Sequence, residues 1–497
     1  MGDSSRSRIC ATVGGATMAE LRRARDEVRD ADIVEVRLDT VSDPDAAGAL
    51  AGRTRPVLVT CRASWEGGGF RGSEEERIAL LTQAWSLGAE YVDLEERAPA
   101  APDFLERTGG RRVVLSRHDF HGAGDVRLVF RSLASSPAEI VKLAVTARRV
   151  SDTLPLFELH RDAGDRRFIA LAMGNAGLPT RILAARIGSA WSYAGSAAPG
   201  QIPVARLIDE FRFRSLGAAS DIYGVVGNPI MHSLSPAMHN AAFDAAGIDA
   251  VYLPIEAADA ADFLNFAEGI GLKGASVTAP FKIALAGCVR LDADARRLGA
   301  LNTLRRAGEG WEGTNTDPAG FLAPLEPLIP LRGTRASVLG AGGAARAAAA
   351  ALRSRGAIVT IHARREEQAA DVAAALDVAA GPWPPPGGSW DLLVNATPVG
   401  TGRPDETPLP DFVFDGRLVY DLIYYPPVTR LLRDASAAGC ATLGGLEMLV
   451  AQAQAQFEWW TGVRPNADMM RTAALRRLAA DGRNAQETAP AAASRHS

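Results

Sequence analysis

Two groups of residues in this chain could do chemistry. The first is Ser116-Arg117-His118-Asp119-Phe120, followed a short way on by Ile140-Val141-Lys142-Leu143-Ala144. An amine such as Lys142 can form a carbon–nitrogen double bond with a ketone, and an imidazole such as His118 can take a proton and give it back. The second group opens with Gly227-Asn228-Pro229-Ile230-Met231-His232-Ser233-Leu234-Ser235-Pro236, then Lys282, then a glycine loop at Gly340. Hydroxyls, an ammonium and a dinucleotide-type loop are the parts needed to move a hydride.

Lys142 lies between Val141 and Leu143, where an ammonium is costly unless paired. Its strand position alone is equally compatible with an outer face, with the side chain reaching out between helices. The other polar residues favour the inner face. Glu35 and Arg37 lie two apart and share one face of a strand. Arg62 ends the next strand, with Glu66 four residues later, and His118 ends another. Arg181 and Gln201 follow the last two strands, and an arginine can clamp a carboxylate through two hydrogen bonds.

The elements that must position these groups are short apolar runs: Ile9–Val13, Ile33–Leu38, Val57–Cys61, Tyr91–Leu94, Val113–Leu115, Ile140–Val145, Phe168–Ala172 and Ala190–Tyr193. Helical stretches such as Glu74–Leu87 separate most of them. Near-continuous apolar strands alternating with helices predict a parallel sheet covered on both faces. Eight units in about 200 residues predict a closed (β/α)8 TIM barrel, whose site sits at the C-terminal strand ends. An open doubly wound sheet is the alternative. Leu216-Gly217-Ala218-Ala219-Ser220 reads as a linker, and a new α/β pattern starts at Asp221.

On these residues the first half resembles type I 3-dehydroquinate dehydratase over residues 8–215. The matching pieces are Glu35-Val36-Arg37-Leu38-Asp39, Arg62 with Glu66, Ser116–Phe120, Val141–Val145, Met173-Gly174 with Arg181, and Ala198-Pro199-Gly200-Gln201. The resemblance implies that Lys142 forms an imine with the substrate ketone. It implies that His118 removes the adjacent proton and passes one to the departing hydroxyl, that Glu66 orients His118, and that Arg181 holds the substrate carboxylate. Glu35, Arg37, Arg62 and Gln201 would hold ring hydroxyls and shape the pocket. One position departs from the family: Ala197 stands where Ser or Thr is frequent, and Ser196 is one place too early. An absent neutral hydrogen bond there is worth about 1 kcal/mol.

In the second half, Gly340-Ala341-Gly342-Gly343-Ala344-Ala345 follows the run Ala336–Leu339 and opens an Ala-rich helix. Such a loop lets backbone N–H groups approach a pyrophosphate. The next strand, Ile358–Ile361, ends at His362-Ala363-Arg364-Arg365, where an NAD site would place an acidic residue. Two arginines suit a 2′-phosphate instead. Ser233, Ser235, Val277-Thr278-Ala279-Pro280-Phe281-Lys282, Ala300-Leu301-Asn302-Thr303 and Gly313-Thr314-Asn315-Thr316-Asp317 make a polar set suited to a polyhydroxy ring acid. Each could also be ordinary turn chemistry. Together they resemble shikimate dehydrogenase over residues 221–478, with Asn395-Ala396-Thr397-Pro398, Asp421 with Tyr424, and Gly445-Leu446-Glu447-Met448-Leu449 ending in Gln452. The resemblance implies that Lys282 and Asp317 handle the proton at the reacting oxygen. It implies that Ser233, Ser235, Thr278, Asn302, Tyr424 and Gln452 bind substrate. Gly340, Ala341, Gly342, Gly343, Ala344, Arg364, Arg365, Thr397, Leu422 and Gly445 would surround NADP(H). Ala363-Arg364-Arg365 replaces the family's frequent Asn-Arg-Thr, which keeps the arginine and changes its hydrogen bonding.

The bulk numbers agree with an enzyme of several domains. The chain has 497 residues, 47% hydrophobic and 23% charged, with net charge −4, so charge gives no case for nucleic acid. No apolar run is long enough for a membrane span. Met1–Arg6 has neither an apolar signal core nor a myristoylation pattern. The four cysteines lie far apart and the seven histidines form no cluster, so no metal is expected and a reducing cytoplasm fits. The expected order is a dehydratase barrel at 8–215, a substrate-binding domain at 221–323 completed by C-terminal helices 446–478, a Rossmann domain at 324–445, and a disordered tail at 483–497. The fold class is α/β: a TIM barrel followed by a two-part α/β dehydrogenase. The fused order resembles the plant pathway enzymes, without a plastid leader. The expected partners are the small molecules 3-dehydroquinate, 3-dehydroshikimate and shikimate. Two other readings stay open here: a quinate enzyme using NAD, and a metabolite-binding regulator. A regulator should have lost Lys142, His118, Lys282 and Asp317.

Overall fold

The computed structural model describes residues 7–122, 124–195 and 200–487. Ser196, Ala197, Ala198 and Pro199, together with residues 488–497 of the tail, lie outside the described residues. The chain packs as two compact units, Met1–Pro236 with Gly247–Phe281, and Ala237–Ala246 with Lys282–Ser497.

The first unit holds eight parallel strands, each close to one of the apolar runs: β1 (Ile9–Val13), β2 (Ile33–Arg37), β3 (Val57–Thr60), β4 (Tyr91–Glu95), β5 (Val113–Asp119), β6 (Ile140–Thr146), β7 (Phe168–Met173) and β8 (Ser192–Gly195). Their order is β7-β6-β5-β4-β3-β2-β1-β8. The barrel nearly closes: Ala190 N–H donates to Phe168 O across the last seam, and the Ser189 hydroxyl bridges Ala170. β5 runs four residues past the apolar run read from sequence, and β8 lies two residues later than its run. The extension is polar because it reaches the C-terminal mouth, where the inward face is the site and not the core.

Alternation along the strands builds the interior in layers. Cys10, Ile33, Leu58, Val114, Ile140, Ile169 and Trp191 belong to one apolar cluster. One step up each strand come Thr12, Glu35, Thr60, Asp93, Ser116, Lys142 and Tyr193. The apolar layer seals the barrel below and leaves the polar layer facing the mouth. The helix Glu74–Ser86 outside the barrel opens with a capping box, Ser73 with Glu76.

Also in this unit are β9 (Asp221–Gly227), β10 (Ala250–Glu256) and β11 (Gly274–Val277), parallel in the order β10-β9-β11, with the helix Ala260–Ile270. The second unit contains β12 (Arg290–Leu291), β13 (Thr303–Ala307) and β14 (Gly310–Thr314). It also contains a parallel sheet of β15 (Arg335–Leu339), β16 (Ile358–His362), β17 (Ala379–Gly381), β18 (Leu392–Asn395), β19 (Leu418–Asp421) and β20 (Ala441–Gly444). The order β17-β16-β15-β18-β19-β20 is that of a Rossmann sheet, and its order reverses between β15 and β18, where such sheets bind ligands. The helix Gly445–Thr461 returns to the residues before β15. Gln456 donates to Asn302 O, Trp460 to Leu304 O, and Phe457 packs on Phe243. The last helix, Ala467–Glu487, extends five residues into the segment read as a tail from Arg483.

Candidate functional site

Lys142 projects from the middle of β6 into the barrel and is 5% exposed. Its Nζ lies 3.1 Å from Asp93 Oδ2 on β4. That contact skips β5, so it can form only through the interior, and it rules out the outer face. The same Nζ sits 4.4 Å from the ring centre of Tyr193 on β8. Asp93 also accepts from the Ser116 hydroxyl at 2.6 Å and pairs with Arg62 at 2.8 Å. Burial opposes the ionised form of Asp93, but Arg62 and Lys142 overcome it and hold the carboxyl below its usual range.

His118, two residues beyond Ser116 on the same strand face, lies nearer the mouth. Its Nδ1 is 2.9 Å from Glu66 Oε1, and its backbone N–H donates to the same oxygen at 2.8 Å. One carboxylate oxygen thereby fixes both backbone and ring. Burial, then Arg62 and Lys142, push the His118 pKa well down, so its imidazole is neutral. Burial pushes Glu66 up to about 7, against the pull of Arg62. An ionised Glu66 accepts from Nδ1–H and leaves the lone pair on Nε2.

The remaining barrel residues divide into two kinds. Glu35 accepts from the hydroxyls of Thr12 and Thr60 at 2.7 and 2.8 Å, and Gln201 donates to the Thr12 hydroxyl at 3.2 Å. Arg37 is clamped bidentately on Asp39 at 2.9 and 2.7 Å, and Arg62 spans Asp93, Glu95 and Ser116. These groups therefore hold one another. Arg181 is 2% exposed, and burial pulls its pKa down to about 10. A buried guanidinium of this kind gains most from a carboxylate. Sequence reasoning missed Asp93, Glu95 and Tyr193. The signal was present in Tyr91-Val92-Asp93-Leu94-Glu95: two carboxylates two apart in an apolar strand, as in Glu35 and Arg37. An open 1140 Å³ depression beside Asp39, Gly69 and Arg71 contains neither Lys142 nor His118.

In the second unit, Lys282 Nζ is 2.5 Å from Asp317 Oδ2, and Asn302 Nδ2 donates to Asp317 Oδ1 at 2.7 Å. Asp317 begins the helix Asp317–Leu322, and its N–H donates to Asn315. Asn302 also accepts from Thr316 N–H at 2.8 Å, so the turn after β14 is pinned to the one before β13. Gln452 lies on the adjoining face: its carbonyl accepts from the Thr316 hydroxyl, and its backbone and Cβ lie against Gly320. Tyr424 follows β19, half-buried, with its pKa raised by burial. Ser233, Ser235 and Thr278 belong to the first unit. Ser235 N–H donates to the Ser233 hydroxyl at 3.2 Å just before the helix Ser235–Ala245, and Thr278 directly follows β11.

The nucleotide-type loop lies at the point where the Rossmann sheet reverses. Gly340 has φ +109, and a Cβ there would stand 3.1 Å from Ala396 O, so only glycine fits without strain. At Gly342 and Gly343 a Cβ would meet nothing within 4 Å. Gly342 is the N-cap of the helix Gly343–Ser354 and offers no capping side chain, so first-turn N–H groups stay available. The adjoining 620 Å³ pocket is lined by Gly340, Ala341, Gly342, Arg364, Arg365 and Thr397. Thr397 is held by Asn395, which is tied to Asp421. His362 is neutral through burial and bridges Pro382 O and the Ser337 hydroxyl, fixing the strand end that presents the two arginines. Gly343 and Ala344 lie in the helix behind the loop. Leu422 and Gly445 meet each other beyond β19 and β20, where a Cβ on Gly445 would be 2.2 Å from Leu422 O. Among the described residues no group of three or more His, Cys, Asp or Glu could hold a metal ion.

The chain is similar to known proteins. The model of type I 3-dehydroquinase matches residues 9–217, that of the shikimate dehydrogenase substrate binding domain residues 225–304, and that of the shikimate 5'-dehydrogenase C-terminal domain residues 445–475. The chain is 34% identical over 476 residues to the bifunctional 3-dehydroquinate dehydratase/shikimate dehydrogenase, chloroplastic, of Arabidopsis thaliana, covering 87% of this chain and 78% of that protein. It is 44% identical over 266 residues to the shikimate dehydrogenase (NADP(+)) of Halobacterium salinarum, covering 52% of this chain and 100% of that protein. A crystal structure of a shikimate dehydrogenase in complex with NADP+ aligns with TM-score 0.50 at 32% identity, covering 53% of this chain and 97% of that one.

Proposed function

The chain belongs to the family of bifunctional 3-dehydroquinate dehydratase/shikimate dehydrogenases, and we propose that Lys142 with His118 carries its first reaction and Lys282 with Asp317 its second. It is a shikimate-pathway enzyme that joins a type I dehydratase to an NADP-dependent shikimate dehydrogenase. The observation that best supports the residue assignment is Lys142 inside the barrel, one step below His118 and paired with Asp93.

In the barrel, the Lys142 amine adds to the ketone of 3-dehydroquinate, and water leaves as the imine forms. Arg181 binds the substrate carboxylate. His118 Nε2 takes the proton beside the imine, and the electron pair moves toward nitrogen. The imidazolium returns a proton to the departing hydroxyl, completing loss of water. Hydrolysis of the imine releases 3-dehydroshikimate and restores the amine. Asp93 supplies the counter-charge whenever the Lys142 nitrogen is cationic.

In the second half, NADPH supplies a hydride when bound. The loop of Gly340, Ala341 and Gly342, with Gly343 and Ala344 in the helix behind it, would hold its pyrophosphate, Arg364 and Arg365 would hold its 2′-phosphate, and Thr397, Leu422 and Gly445 would complete the site. Ser233, Ser235, Thr278, Asn302, Tyr424 and Gln452 hold the ring hydroxyls and carboxylate of 3-dehydroshikimate. Lys282 delivers the proton to the reacting oxygen, Asp317 orients it, and a proton from solvent restores the ammonium. We assign residues 8–215 to the dehydratase, 221–323 with 446–478 to substrate binding, and 324–445 to the nucleotide. We place the enzyme in the cytoplasm, on four separated free cysteines. No helix among the described residues is long and apolar enough to cross a membrane. Small molecules, and not nucleic acid, are its partners on this reading. The test is a one-pot assay in which the purified chain receives 3-dehydroquinate and NADPH. Loss of NADPH absorbance with accumulation of shikimate is expected. Shikimate formation that continues after Lys142→Ala would refute the barrel assignment.

A further inference from the structure

The barrel lacks a cap that one of its own helices needs. After β6 the chain enters the helical segment Val150–Thr153, which leads into Leu154–Phe157. Arg149 occupies the N-cap and has no side-chain acceptor, where Ser, Thr, Asp or Asn would ordinarily accept from the first free N–H groups. Asp152 supplies half of a capping box, accepting from the N–H groups of Arg148 and Arg149 at 3.0 and 2.8 Å. The other half comes from Asp262, in the segment that belongs to the reductase. Its carboxylate accepts from Val150 N–H at 3.2 Å and Ser151 N–H at 3.0 Å, and from Ala258 N–H at 2.8 Å in its own turn. Asp262 is 2% exposed.

Other contacts make this a docking and not a single touch. Arg149 pairs with Asp259 at 2.8 Å, and Arg186 donates to Ile270 O at 3.0 Å. Gly269 lies so close to Leu154 that a Cβ there would stand 2.5 Å from the leucine Cδ2. Asn175, in the loop after β7, donates to Glu256 at the end of β10 at 3.2 Å. That loop leads directly into the helix Leu178–Ile182, which carries Arg181. Ala147 N–H, between β6 and the capped segment, donates to Met173 O at the end of β7. The two loops are thus tied to each other and both are held by β10 and the helix Ala260–Ile270. Both rise from the catalytic face of the barrel.

We infer that Asp262 is a positioning residue for the dehydratase, acting across the fusion: it caps the segment after β6 and thereby holds the neighbouring loop that carries Arg181. The inference rests on the reading of Arg181 as the carboxylate clamp. Lys142 and His118 lie on strands paired on both sides and stay in place without Asp262. A clamp that holds the carboxylate equally in ground and transition states affects KM and leaves kcat alone.

Steady-state kinetics of both reactions on the full-length chain test this. Asp262→Ala is expected to raise the dehydratase KM for 3-dehydroquinate about tenfold with kcat within about twofold, because small misplacements of a binding group are costly. The reductase KM for 3-dehydroshikimate should not move. Asp262→Asn keeps one acceptor oxygen and should fall between wild type and Ala. An unchanged dehydratase KM, or an equal loss in both reactions, overturns the inference. If Asp262→Ala does not fold, Asn175→Ala breaks the exposed end of the same docking and should raise the same KM at least about twofold, since it removes one tie on the loop. No change there overturns it equally. Arg181→Ala is the separate control. If that variant leaves KM unmoved, the clamp reading fails and not the docking.

Discussion

Glu66→Gln is the substitution whose outcome the barrel geometry fixes most closely. Gln keeps an amide oxygen where Glu66 Oε1 now accepts from His118 N–H and lies 2.9 Å from Nδ1, so ring orientation survives and only the ionisable proton is lost. Burial has raised Glu66 from 4.5 to about 7, a preference of about 3 kcal/mol for its neutral form. Below that value the protonated carboxyl donates to Nδ1, which places the hydrogen on Nε2, and Nε2 cannot then take a proton from substrate. Above it, the carboxylate accepts from Nδ1–H and Nε2 is a base. Dehydratase kcat/KM of the native chain should therefore climb about tenfold between pH 6 and a plateau near pH 8. In the Gln variant this limb should vanish, because a neutral amide holds the productive tautomer throughout. Its plateau should sit below the native one by about tenfold or less, since the negative charge that stabilises the imidazolium is gone. The assay follows ultraviolet absorbance of the conjugated product across that pH range. Persistence of the native limb near pH 7 in the variant would refute the argument and move the ionisation to another group. The linkage has a stability side as well. The folded pKa lies above the unfolded one, so the contribution of Glu66 is fully present below about pH 4.5 and is lost as pH rises through about 7. The Gln variant should be the more stable of the two at pH 8.

Other changes separate the two halves. Lys142→Ala should cut dehydration by several orders of magnitude while reduction of added 3-dehydroshikimate stays near native; Lys282→Ala should do the reverse. Borohydride added with 3-dehydroquinate should leave a mass adduct on the native chain and the Lys282 variant only, and an adduct mapping to another lysine would contradict the imine assignment. Arg364→Glu should raise the KM for NADPH far more than that for NADH, and equal kcat/KM for both cofactors in the native enzyme would remove the basis for this. Gly340→Ala should weaken NADP binding and lower thermal stability together, because φ +109 strains any side-chain-bearing residue and the 3.1 Å approach to Ala396 O crowds a methyl group; unchanged stability by differential scanning fluorimetry would count against it.

Much of the frame was legible because parallel strands buried on both sides are written as apolar runs. Seven of the eight barrel strands fall at or within two residues of their runs, β5 runs four residues past its own, and the Rossmann loop was announced by its glycines. Lys142 was harder. An apolar strand in a barrel buries both faces, so its flanking residues do not tell inside from outside. Only the partner Asp93, two strands away, decides. The same limit hid the commitments of Arg37 and Arg62. A sequence shows that an arginine is available, but not that Asp39, Asp93 and Glu95 already occupy most of it. Least legible was the bond from Asp262 to Val150, 112 positions apart and in the other catalytic half. Nothing in the local spacing of either segment calls for it, except that Arg149 stands where a capping acceptor belongs.

On the proposed mechanism, the layering of the barrel bears on why one lysine among so many charged residues could form the imine. The apolar layer beneath excludes water from below, so every polar group above it must find a partner within the barrel. Two carboxylates on β4, Asp93 and Glu95, meet that demand for Arg62 and Lys142, and Glu95 also takes Arg77 from the outer helix Glu74–Ser86. Arginine is the less readily deprotonated cation, and Arg62 helps hold Asp93 below its usual range. Lys142 shares Asp93 with Arg62 and Ser116, which stay paired with that carboxylate when the lysine nitrogen enters an imine. Its amine can therefore attack a ketone without stranding a buried charge. Aspartate at 93 and lysine at 142 are in this sense one device. Removing the aspartate should slow imine formation and destabilise the barrel together, whereas removing the lysine should abolish the imine and leave Asp93 paired with Arg62 and Ser116.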